Sequence, residues 1–475
     1  MKSNNSKTRV YIALVCTAIA TGVIGYRLFT LAGSQHAQYL AIAKAQYENP
    51  TALLAGRGDV FFSDERGLTS RLVATNKKEN GKVVRAYPQG ASAAHVLGYV
   101  GYKGLDRVGQ YGVEGYYDSE LKQGDTVVLT IDATVQSYAE HTLNAVLKRW
   151  SATLGTIVIE DPRSGAIIAM ASSPSFDPNS YQQYALDRYL NPAVQQVFEP
   201  GSSFKPFTMS AALDTGAVTP NTTYTDPGIV TIGTYTIMNY DKKSHGVQTM
   251  TEVLEHSLNT GVMFAEQRTG DDAFLNYVVG FGFGQKTGID LGGEVTGSLF
   301  NLYQSSAVNF ATATFGQGIS VTPLQLVNGI AAIANDGKLM RPYIVKEIIH
   351  ADGSKRVTQS QIIGNPIKDT TARMLKTMLT DVVDKGFDRA RIKGYDVAGK
   401  TGTAQIPDEK GGYLENNEFI HNFVGFAPSY DPKFVILIKM DKPKGINFAS
   451  NSLSPVFGDL AAFLLRYYKI PPTRQ

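Results

Sequence analysis

The stretch 198–207, Phe-Glu-Pro-Gly-Ser-Ser-Phe-Lys-Pro-Phe, places a hydroxyl and an amine one helical turn apart, directly behind a Pro-Gly break. Apolar residues recur at helical spacing after the break, which predicts a helix that runs until Gly216. Pro206 is tolerated because the N–H groups of a first turn have no intrahelical partner. Ser202 and Lys205 then share one face, and the helix N-terminus offers N–H groups to an oxyanion. The stretch predicts an activated serine that needs no histidine, although Ser-x-x-Lys alone is also typical of an ordinary amphipathic helix start.

Composition limits the classes of protein to which the chain can belong. Its 475 residues suggest about two or three domains, and 43% hydrophobic with 18% charged residues is typical of a globular chain. The formal charge of +3 and the lack of a long basic run give no reason to expect nucleic acid. Cys16 is the only cysteine, and the seven histidines have no ligand-like spacing, so the sequence excludes disulfides and cysteine-based metal sites.

An apolar segment, 10–32, follows the basic residues Lys2, Lys7 and Arg9. At about 1.5 Å per residue it spans a bilayer as a helix, and its single charge, Arg27, can snorkel to an interface. A cleaved signal peptide is the alternative, but the apolar run exceeds a usual h-region, which favours an uncleaved anchor. Because positive charge stays inside, we expect a cytoplasmic N-terminus and an extracytoplasmic remainder.

The pattern of apolar and glycine residues in the remaining sequence predicts two domains. A juxtamembrane helix is predicted over Gln35–Glu48, and short Gly-, Tyr- and Val-rich runs over 56–121 predict a small strand-rich module. Val127–Ile131 is a predicted strand, after which Asp132 caps a helix that ends near Trp150. The predicted divisions are a cytoplasmic tail over 1–9, the anchor over 10–32, a first domain over 33–151, a second domain over 152–470 and a tail over 471–475.

The second domain opens with a hairpin whose strands, 156–160 and 166–171, are apolar on both faces, which predicts burial on both sides. Two short helices, Thr251–His256 and Thr260–Gln267, leave Ser257-Leu258-Asn259 at their junction. Further helices are predicted over 271–279, 322–335, 371–382 and 454–468, and strands over 395–405, 419–427 and 434–440.

A third polar element, Lys400-Thr401-Gly402-Thr403, lies on the first of those strands. The run from Gly394 to Thr401 also satisfies the nucleotide-binding P-loop pattern. That interpretation needs a buried strand before the first glycine and a helix after the lysine, but residues 387–391 are too charged for the strand and Pro407 closes off the helix. We therefore interpret the segment as an edge strand whose glycines leave room for a substrate backbone and whose polar side chains face a carboxylate.

Ser202-x-x-Lys205, Ser257-x-Asn259 and Lys400-Thr401-Gly402, in this order, resemble the three motifs of the serine penicillin-binding protein and β-lactamase superfamily. Other segments resemble class B penicillin-binding proteins, so the resemblance runs from the anchor to the C-terminus. These are 191–193, 199–201, 281–284, 315–318, 322–323 and 423–428 in the second domain, and 57–60, 87–88, 95–98 and 112–114 in the N-terminal pedestal. Because Glu199 precedes Pro-Gly-Ser, the chain most resembles division transpeptidases of the penicillin-binding protein three type. The pedestal departs from the family pattern, since it is much shorter than usual between residues 57 and 87.

The resemblance implies an α+β fold, in which a transpeptidase domain of the penicillin-binding-protein/β-lactamase type has an antiparallel sheet flanked by helices. A small strand-rich pedestal and one transmembrane helix would precede it. The implied function is that of a peptidoglycan D,D-transpeptidase, which cross-links stem peptides through an acyl-serine, binds penicillin and serves septal cell-wall synthesis. No metal or organic cofactor is implied. The implied partners are peptidoglycan stem peptides, β-lactams and a membrane glycosyltransferase, at the cell membrane.

The resemblance also implies a role for each motif residue. Ser202 would attack the carbonyl of the penultimate D-alanine, and Lys205 would be the base, with its pKa lowered by Lys400 and by burial. The other implied roles are Ser257 as proton relay to the leaving amine, Asn259 as holder of Lys205 and the substrate amide, Thr401, Gly402 and Thr403 as the carboxylate-binding segment, and the backbone N–H groups of Ser202 and Thr403 as the oxyanion hole.

Two other function classes remain open at this point. A D,D-carboxypeptidase or β-lactamase-type hydrolase would use water as acceptor, although the sequence shows no clear carboxylate to activate it. A non-enzymatic β-lactam sensor would need a signalling segment longer than residues 1–9. Three further features resemble catalytic elements but are interpreted as structural. The second triplet, Lys286-Thr287-Gly288, is interpreted as a surface loop and His256 as a structural histidine. Glu160 and Asp161 are interpreted as hairpin residues rather than an acid–base pair.

Overall fold

The computed structural model describes residues 4–33, 35, 56–64, 66–104, 106–304, 306–386, 388–406, 412–413 and 418–474. The predicted juxtamembrane helix over Gln35–Glu48 therefore lies almost entirely outside the described residues. The N-terminal helix is Asn4–Ala32, and Val10–Ala32 within it is an apolar stretch of 23 residues with none of its hydrophobic window buried. By length and composition this helix can cross a membrane, and it fits a single-pass anchor.

A six-stranded sheet forms the core of the N-terminal domain, and two of its strands come from the C-terminal half of the chain. Thr126–Asp132 is parallel to Val60–Ser63 on one side and antiparallel to Val345–Ile349 on the other. The sheet therefore contains strands from both sides of residue 151, where the sequence predicts the division between the two domains. That division stays a prediction. The strand order is Lys355–Val357, Val345–Ile349, Thr126–Asp132, Val60–Ser63, Thr69–Glu79 and Lys82–Ala86.

Glu114 is fully buried beside this sheet and is held by two arginines. Arg57 binds its carboxylate at 2.6 Å and Arg85 binds it at 2.7 Å, and both guanidinium groups are themselves buried. Burial opposes ionisation of Glu114, but the charges of Arg85 and Arg57 outweigh it and hold the pKa of the carboxyl below its ordinary value. The pedestal segments 57–60 and 112–114 thus meet in one buried ion network.

The helix Ala133–Trp150 has the cap and the end that the sequence predicts. Asp132 Oδ1 accepts the N–H groups of Thr134 at 2.8 Å and Val135 at 3.0 Å. Such a cap satisfies donors of the first turn that have no intrahelical partner. The residues predicted to face inward are buried (Val135, Ala139, Leu143 and Val146) or half-buried (Tyr138 and Thr142).

Five antiparallel strands form the sheet of the C-terminal domain, in the order β3-β4-β5-β1-β2. Their bounds are β1 Leu154–Glu160, β2 Ile167–Ser173, β3 Ala398–Gln405, β4 Phe419–Ala427 and β5 Phe434–Asp441. Alternate side chains enter two cores: Val158 packs with the helix Pro323–Ala334, and Ile157 packs with Ala133–Trp150 and Ser454–Tyr467. Helices on both faces explain why the hairpin strands β1 and β2 are largely apolar on both sides, and β3 is an edge strand, as predicted.

The other described elements are shorter and surround these sheets. The α-helices are Ala94–Leu97, Gly112–Tyr116, Asp118–Lys122, Pro192–Gln195, Lys205–Asp214, Met250–Glu255, Asn259–Thr269, Asp271–Gly280, Ala307–Ala313, Asp369–Asp381 and Ala449–Ser452. Two-stranded pairs are Tyr99–Lys103 with Asp106–Gln110, Thr223–Asp226 with Gly246–Thr249, Ile229–Ile232 with Tyr235–Met238, and Leu339–Met340 with Ile362–Gly364.

Candidate active site

Ser202 lies in one 3-10 turn, Gly201–Phe204, immediately before α1 (Lys205–Asp214). The sequence predicts a helix that continues from the Pro-Gly break to Gly216, but the α-helical part begins only at Lys205. Pro206 explains the difference, because it has no N–H to donate to the Ser202 carbonyl. That carbonyl accepts the Lys205 N–H instead, in a 3-10 bond. The nucleophile candidate therefore lies on a tight, half-buried turn.

Two buried lysines converge on Ser257. Lys205 Nζ donates to the Ser257 carbonyl at 2.5 Å and to its hydroxyl at 3.2 Å, and Lys400 Nζ donates to the same hydroxyl at 2.9 Å. Both lysine side chains are 0% exposed. Among the described residues, no hydrogen bond joins Lys205 to Ser202. The Ser257 hydroxyl is thus the bridge between the two amines, and direct access of Lys205 to the Ser202 hydroxyl stays a prediction.

Burial changes the charge that these two amines can carry. It lowers the pKa of Lys205 well below the ordinary lysine value, and the nearby Lys400 lowers it further. Burial also lowers the pKa of Lys400 to about 7. Two cations this close in a dry site repel, so the pair favours a neutral amine near neutral pH, as a general base requires. The predicted direction and causes of the Lys205 shift are confirmed.

Ser257 lies at the corner before α2 (Asn259–Thr269), with a φ of +55°, in the left-handed region that non-glycine residues rarely adopt. Such a conformation persists where the surroundings over-determine it. Asn259 Nδ2 donates to the Met238 carbonyl at 2.8 Å, and no described hydrogen bond joins Asn259 to Lys205. The implied role of Asn259 in holding Lys205 stays a prediction.

Gly402 on β3 allows this strand to approach the Ser202 turn. A Cβ added at Gly402 would lie 2.4 Å from the Pro200 carbonyl oxygen and 2.5 Å from Asn422 Nδ2. Asn422 Nδ2 itself donates to that carbonyl at 2.9 Å. The space next to the Gly402 Cα is filled by the protein's own turn and by Asn422, whereas the pairing of a substrate backbone along the edge of β3 stays a prediction. Gly402 therefore sets the distance between β3 and the nucleophile.

The threonines of the β3 motif lie on either side of Gly402 and differ in exposure. Thr401 is buried, whereas Thr403 is half-buried and its hydroxyl accepts the Ala449 N–H at 3.1 Å. This contact ties β3 to the segment that leads into the last helix. The carboxylate-binding role of the threonines and the oxyanion role of the Ser202 and Thr403 N–H groups stay predictions.

Glu199 is a site residue to which the sequence reasoning gave no chemical role. Its carboxylate accepts the Gly318 N–H at 3.0 Å and the Tyr413 hydroxyl at 3.0 Å. Burial raises the pKa of Glu199 to about 7. Glu199, which directly precedes Pro200, thus joins the loops at Gly318 and Tyr413 to the segment that leads into the Ser202 turn. A charged residue directly before a Pro-Gly break was the only signal in the sequence that could have indicated it.

The alternative features have the structural roles that the sequence favoured. Residues 285–288 form no helix or strand; Lys286 is exposed, and Thr287 is buried and bound to Glu294. The side chain of His256 is exposed and stacks with His245 at 5.7 Å. Glu160 ends β1, and Asp161 accepts hydrogen bonds from the hairpin turn at Arg163 and Ser164. The segment that matches the P-loop pattern runs into β3 and forms no helix.

Within the described parts of the chain, no group of three or more His, Cys, Asp and Glu residues could hold a metal ion. The polar groups at the centre of the site are hydroxyls, amines and carboxamides, which suit acyl transfer to and from a serine.

Two family comparisons cover most of the chain. The penicillin binding protein transpeptidase domain matches residues 155–462, and the penicillin-binding protein dimerisation domain matches residues 77–136.

Curated relatives extend this similarity. Stage V sporulation protein D of Bacillus subtilis is 37% identical over 412 residues, which is 79% of this chain and 63% of the relative. Penicillin-binding protein PbpB of Mycobacterium tuberculosis is 32% identical over 82% of this chain and 62% of its own length. The chain therefore spans less than two-thirds of these relatives. The probable peptidoglycan D,D-transpeptidase PbpC of Pseudomonas aeruginosa is 31% identical over 93% of this chain and 81% of its own length.

Solved structures give the same result for the fold. Penicillin binding protein 3 from Mycobacterium tuberculosis superposes with a TM-score of 0.80 at 30% identity, over 88% of this chain and 97% of that chain. Its complexes with aztreonam and ampicillin have TM-scores of 0.80 and 0.81.

Proposed function

This chain belongs to the class B penicillin-binding proteins, and on that premise we propose that it is a peptidoglycan D,D-transpeptidase that forms an acyl-enzyme at Ser202. The observation that carries the proposal is the convergence of two buried lysines, Lys205 and Lys400, on the Ser257 hydroxyl beside the Ser202 turn. This arrangement offers a neutral amine and a proton relay with no histidine in the site. The aztreonam and ampicillin complexes of the solved relative support β-lactam binding as well.

Acylation begins when Ser202 Oγ bonds to the carbonyl carbon of the penultimate D-alanine and its proton passes to the neutral Lys205 amine. Collapse of the tetrahedral intermediate breaks the C–N bond to the terminal D-alanine. The Ser257 hydroxyl gives its proton to that leaving nitrogen and regains one from Lys205, whose Nζ lies 3.2 Å away. The remaining peptide stays on Ser202 as an ester.

The developing oxyanion is stabilised by the backbone N–H groups of Ser202 and Thr403, and one such donor is commonly worth about 3 kcal/mol. Thr401 and Thr403 bind the terminal carboxylate beside Lys400, which contributes positive charge when it is protonated. An amine from a neighbouring stem peptide then attacks the ester carbonyl, and Lys205 accepts the proton that this amine loses. As the C–O bond to Ser202 breaks, Lys205 returns that proton to Ser202 Oγ. The product is a cross-link and a free Ser202.

The N-terminal helix supplies the setting of this reaction. We assign residues 1–9 to the cytoplasm and the rest of the chain beyond the anchor to the outside, with a pedestal over 33–151 and a transpeptidase domain over 152–470. We assign the protein to septal cell-wall synthesis, a role that similarity to a relative named peptidoglycan D,D-transpeptidase FtsI from Buchnera aphidicola supports. A membrane glycosyltransferase is the partner that we propose for this role.

Labelled penicillin tests the acyl-enzyme. The wild type should retain a covalent label that Ser202→Ala loses completely, because no other hydroxyl has the same place on the turn. Lys205→Ala should slow acylation by at least about 100-fold, the low end for loss of a general base. Label that persists on Ser202→Ala would overturn the assignment of the nucleophile.

Muropeptide analysis tests the acceptor. The membrane-anchored protein is incubated with lipid-linked precursor, an active polymerase and labelled D-alanine acceptors, with Ser202→Ala as the matched control. Dimeric cross-linked muropeptides that disappear in the control are the expected result, because an ordered site can favour a positioned amine over water. Tetrapeptide monomers and free D-alanine alone would identify a carboxypeptidase.

A further inference from the structure

The helix α2, which carries the Ser257-x-Asn259 corner at its start, has no capping side chain of its own. Its N-cap residue is Leu258, which makes no side-chain cap. The first N–H groups of a helix have no intrahelical acceptor, so a partner must come from elsewhere. Asn239 Oδ1 accepts the Asn259 N–H at 2.9 Å and the Thr260 N–H at 3.4 Å. A residue from the segment after the strand Tyr235–Met238 therefore caps the catalytic corner.

Asp226 fixes the orientation of the Asn239 amide. Asn239 Nδ2 donates to both oxygens of the Asp226 carboxylate, at 2.9 and 3.1 Å, and to the Lys243 carbonyl at 3.2 Å. With its NH₂ group committed to three acceptors, the amide can present only its oxygen to α2. Asp226 and Asn239 are each 1% exposed. The orientation is therefore set inside the protein rather than by solvent.

Asp226 remains ionised despite its burial. Burial opposes ionisation, but hydrogen bonds from the Thr260 hydroxyl, at 2.6 Å, and from the N–H groups of Gly228 and His245 hold the pKa of the carboxyl below its ordinary value. A carboxylate near the start of α2 is also favourable to the helix dipole. Asp226 thus binds α2 directly through Thr260 and indirectly through Asn239.

The same segment, at Met238 and Asn239, also holds the side chain of Asn259. Met238 accepts a hydrogen bond from Asn259 Nδ2 through its carbonyl, and Asn239 accepts one from the Asn259 backbone. Asn259 is therefore held at its backbone and its side chain by two consecutive residues. Ser257, two positions before it, has a left-handed conformation that needs such external support.

We propose that Asn239 and Asp226 are positioning residues for acylation: Asn239 caps α2 from outside the motif, Asp226 orients Asn239, and together they hold Ser257 where it meets both lysines. The proposal rests on the proposed acyl-serine function. Neither residue touches the Ser202 turn in any described hydrogen bond, so its effect passes through the Ser257-x-Asn259 corner.

The test measures acylation of the full-length protein in detergent by a fluorescent penicillin, with the limiting rate constant k2 and the apparent dissociation constant K determined separately. Asn239→Ala should lower k2 by at least about tenfold and change K by less than about threefold, because a displaced corner disturbs proton transfer more than initial binding. Rates are expressed per labelled site, so that unfolded protein does not contribute. If Asn239→Ala does not accumulate, Asn239→Ser, which keeps an acceptor oxygen of shorter reach, is measured instead.

A donor–acceptor swap separates positioning from simple destabilisation. Asn239→Asp places two carboxylates against each other and should lower k2, whereas the double variant Asp226→Asn with Asn239→Asp restores a donor facing an acceptor. The double variant should recover at least about half of the lost logarithm of k2, which a merely additive structural effect would not give.

Asn191→Ala is the matched control. Asn191 is 3% exposed and its Oδ1 accepts the Ala193 N–H at 3.1 Å at the start of another helix, Pro192–Gln195. It should lower the melting temperature and leave k2 within about threefold, since the side-chain hydrogen bonds that it loses, with Ala193, His95 and Met170, do not involve the Ser257-x-Asn259 corner. Unchanged k2 in the Asn239 variants, or no recovery in the double variant, would overturn the positioning role. An unlabelled wild type would refute the acyl-serine function itself, which is a distinct outcome.

Discussion

Gly402→Ala tests whether the contact between β3 and the Ser202 turn sets the catalytic geometry. The new Cβ would lie 2.4 Å from the Pro200 carbonyl oxygen, and 2.5 and 2.6 Å from Nδ2 and Oδ1 of Asn422. An ordinary contact needs about 3.4 Å, so β3 and the turn must separate by about 1 Å. Overpacking of this kind costs about 1–3 kcal/mol of stability, and a 1 Å misplacement can cost about 100-fold in rate.

The assay is the second-order rate of acylation by fluorescent penicillin, with the melting temperature measured on the same samples. Gly399→Ala is the matched comparison on the same strand, because its Cβ would lie 2.7 Å from the Phe423 ring rather than against the Ser202 turn. We expect both variants to lose stability, but only Gly402→Ala to lose acylation by about two orders of magnitude. Wild-type acylation by folded Gly402→Ala would refute the reasoning that this glycine sets the position of β3.

Four further predictions concern buried charges and the duplicated triplet. Lys400→Ala should abolish most acylation, whereas Lys286→Ala, in an exposed loop, should leave its rate within about threefold, and the reverse result would show that the wrong triplet was assigned. Because burial lowers the pKa of Lys400 in the folded state to about 7, the unfolded state binds more protons between about pH 7 and 10.4, and stability should rise with pH across that window. Lys400→Met, which removes the amine, should therefore exceed the wild type in melting temperature most clearly below pH 7. An equal difference between the two proteins at pH 10 would contradict this. Acylation should fall at acid pH as the neutral Lys205 amine is protonated, and a rate–pH profile with no acid limb would exclude it as the base. Arg85→Ala leaves the fully buried Glu114 with one arginine fewer and should cost about 3–5 kcal/mol in denaturant unfolding, a loss that a fully exposed pair would not show.

The parts of this molecule that the sequence predicts are those with a local cause. Asp132 caps the helix that follows it, and the spacing of apolar residues gives the buried face of Ala133–Trp150. The motif order indicates which serine and lysines belong to the site because each motif is a short continuous segment. Ser202 and Lys205 are therefore assigned from one short segment together with the order of the three motifs, whereas the 3-10 turn before Pro206 is not predicted.

The remaining features depend on contacts between residues far apart in the chain. Asn239 looks like an ordinary turn residue in the sequence, because the helix that it caps begins 20 positions later. The need for glycine at Gly402 arises from Pro200 on another element. Lys205 and Lys400 meet at Ser257 because three segments come together in a buried space that no single pattern describes. Periodicity and motif spacing carry no information about such meetings.

The shared sheet of the N-terminal domain makes the order of synthesis relevant to folding. Val345 pairs with Leu129, and Val345–Ile349 covers one edge of the strand Thr126–Asp132. Until residues near 349 have been synthesised, that strand has an open edge, which is a site for pairing with other chains. A fragment that ends near residue 151, or a chimera that exchanges the two domains at that point, would keep the open edge permanently. Fragments or chimeras of this protein should therefore carry 345–357 together with the pedestal if that edge is to be covered.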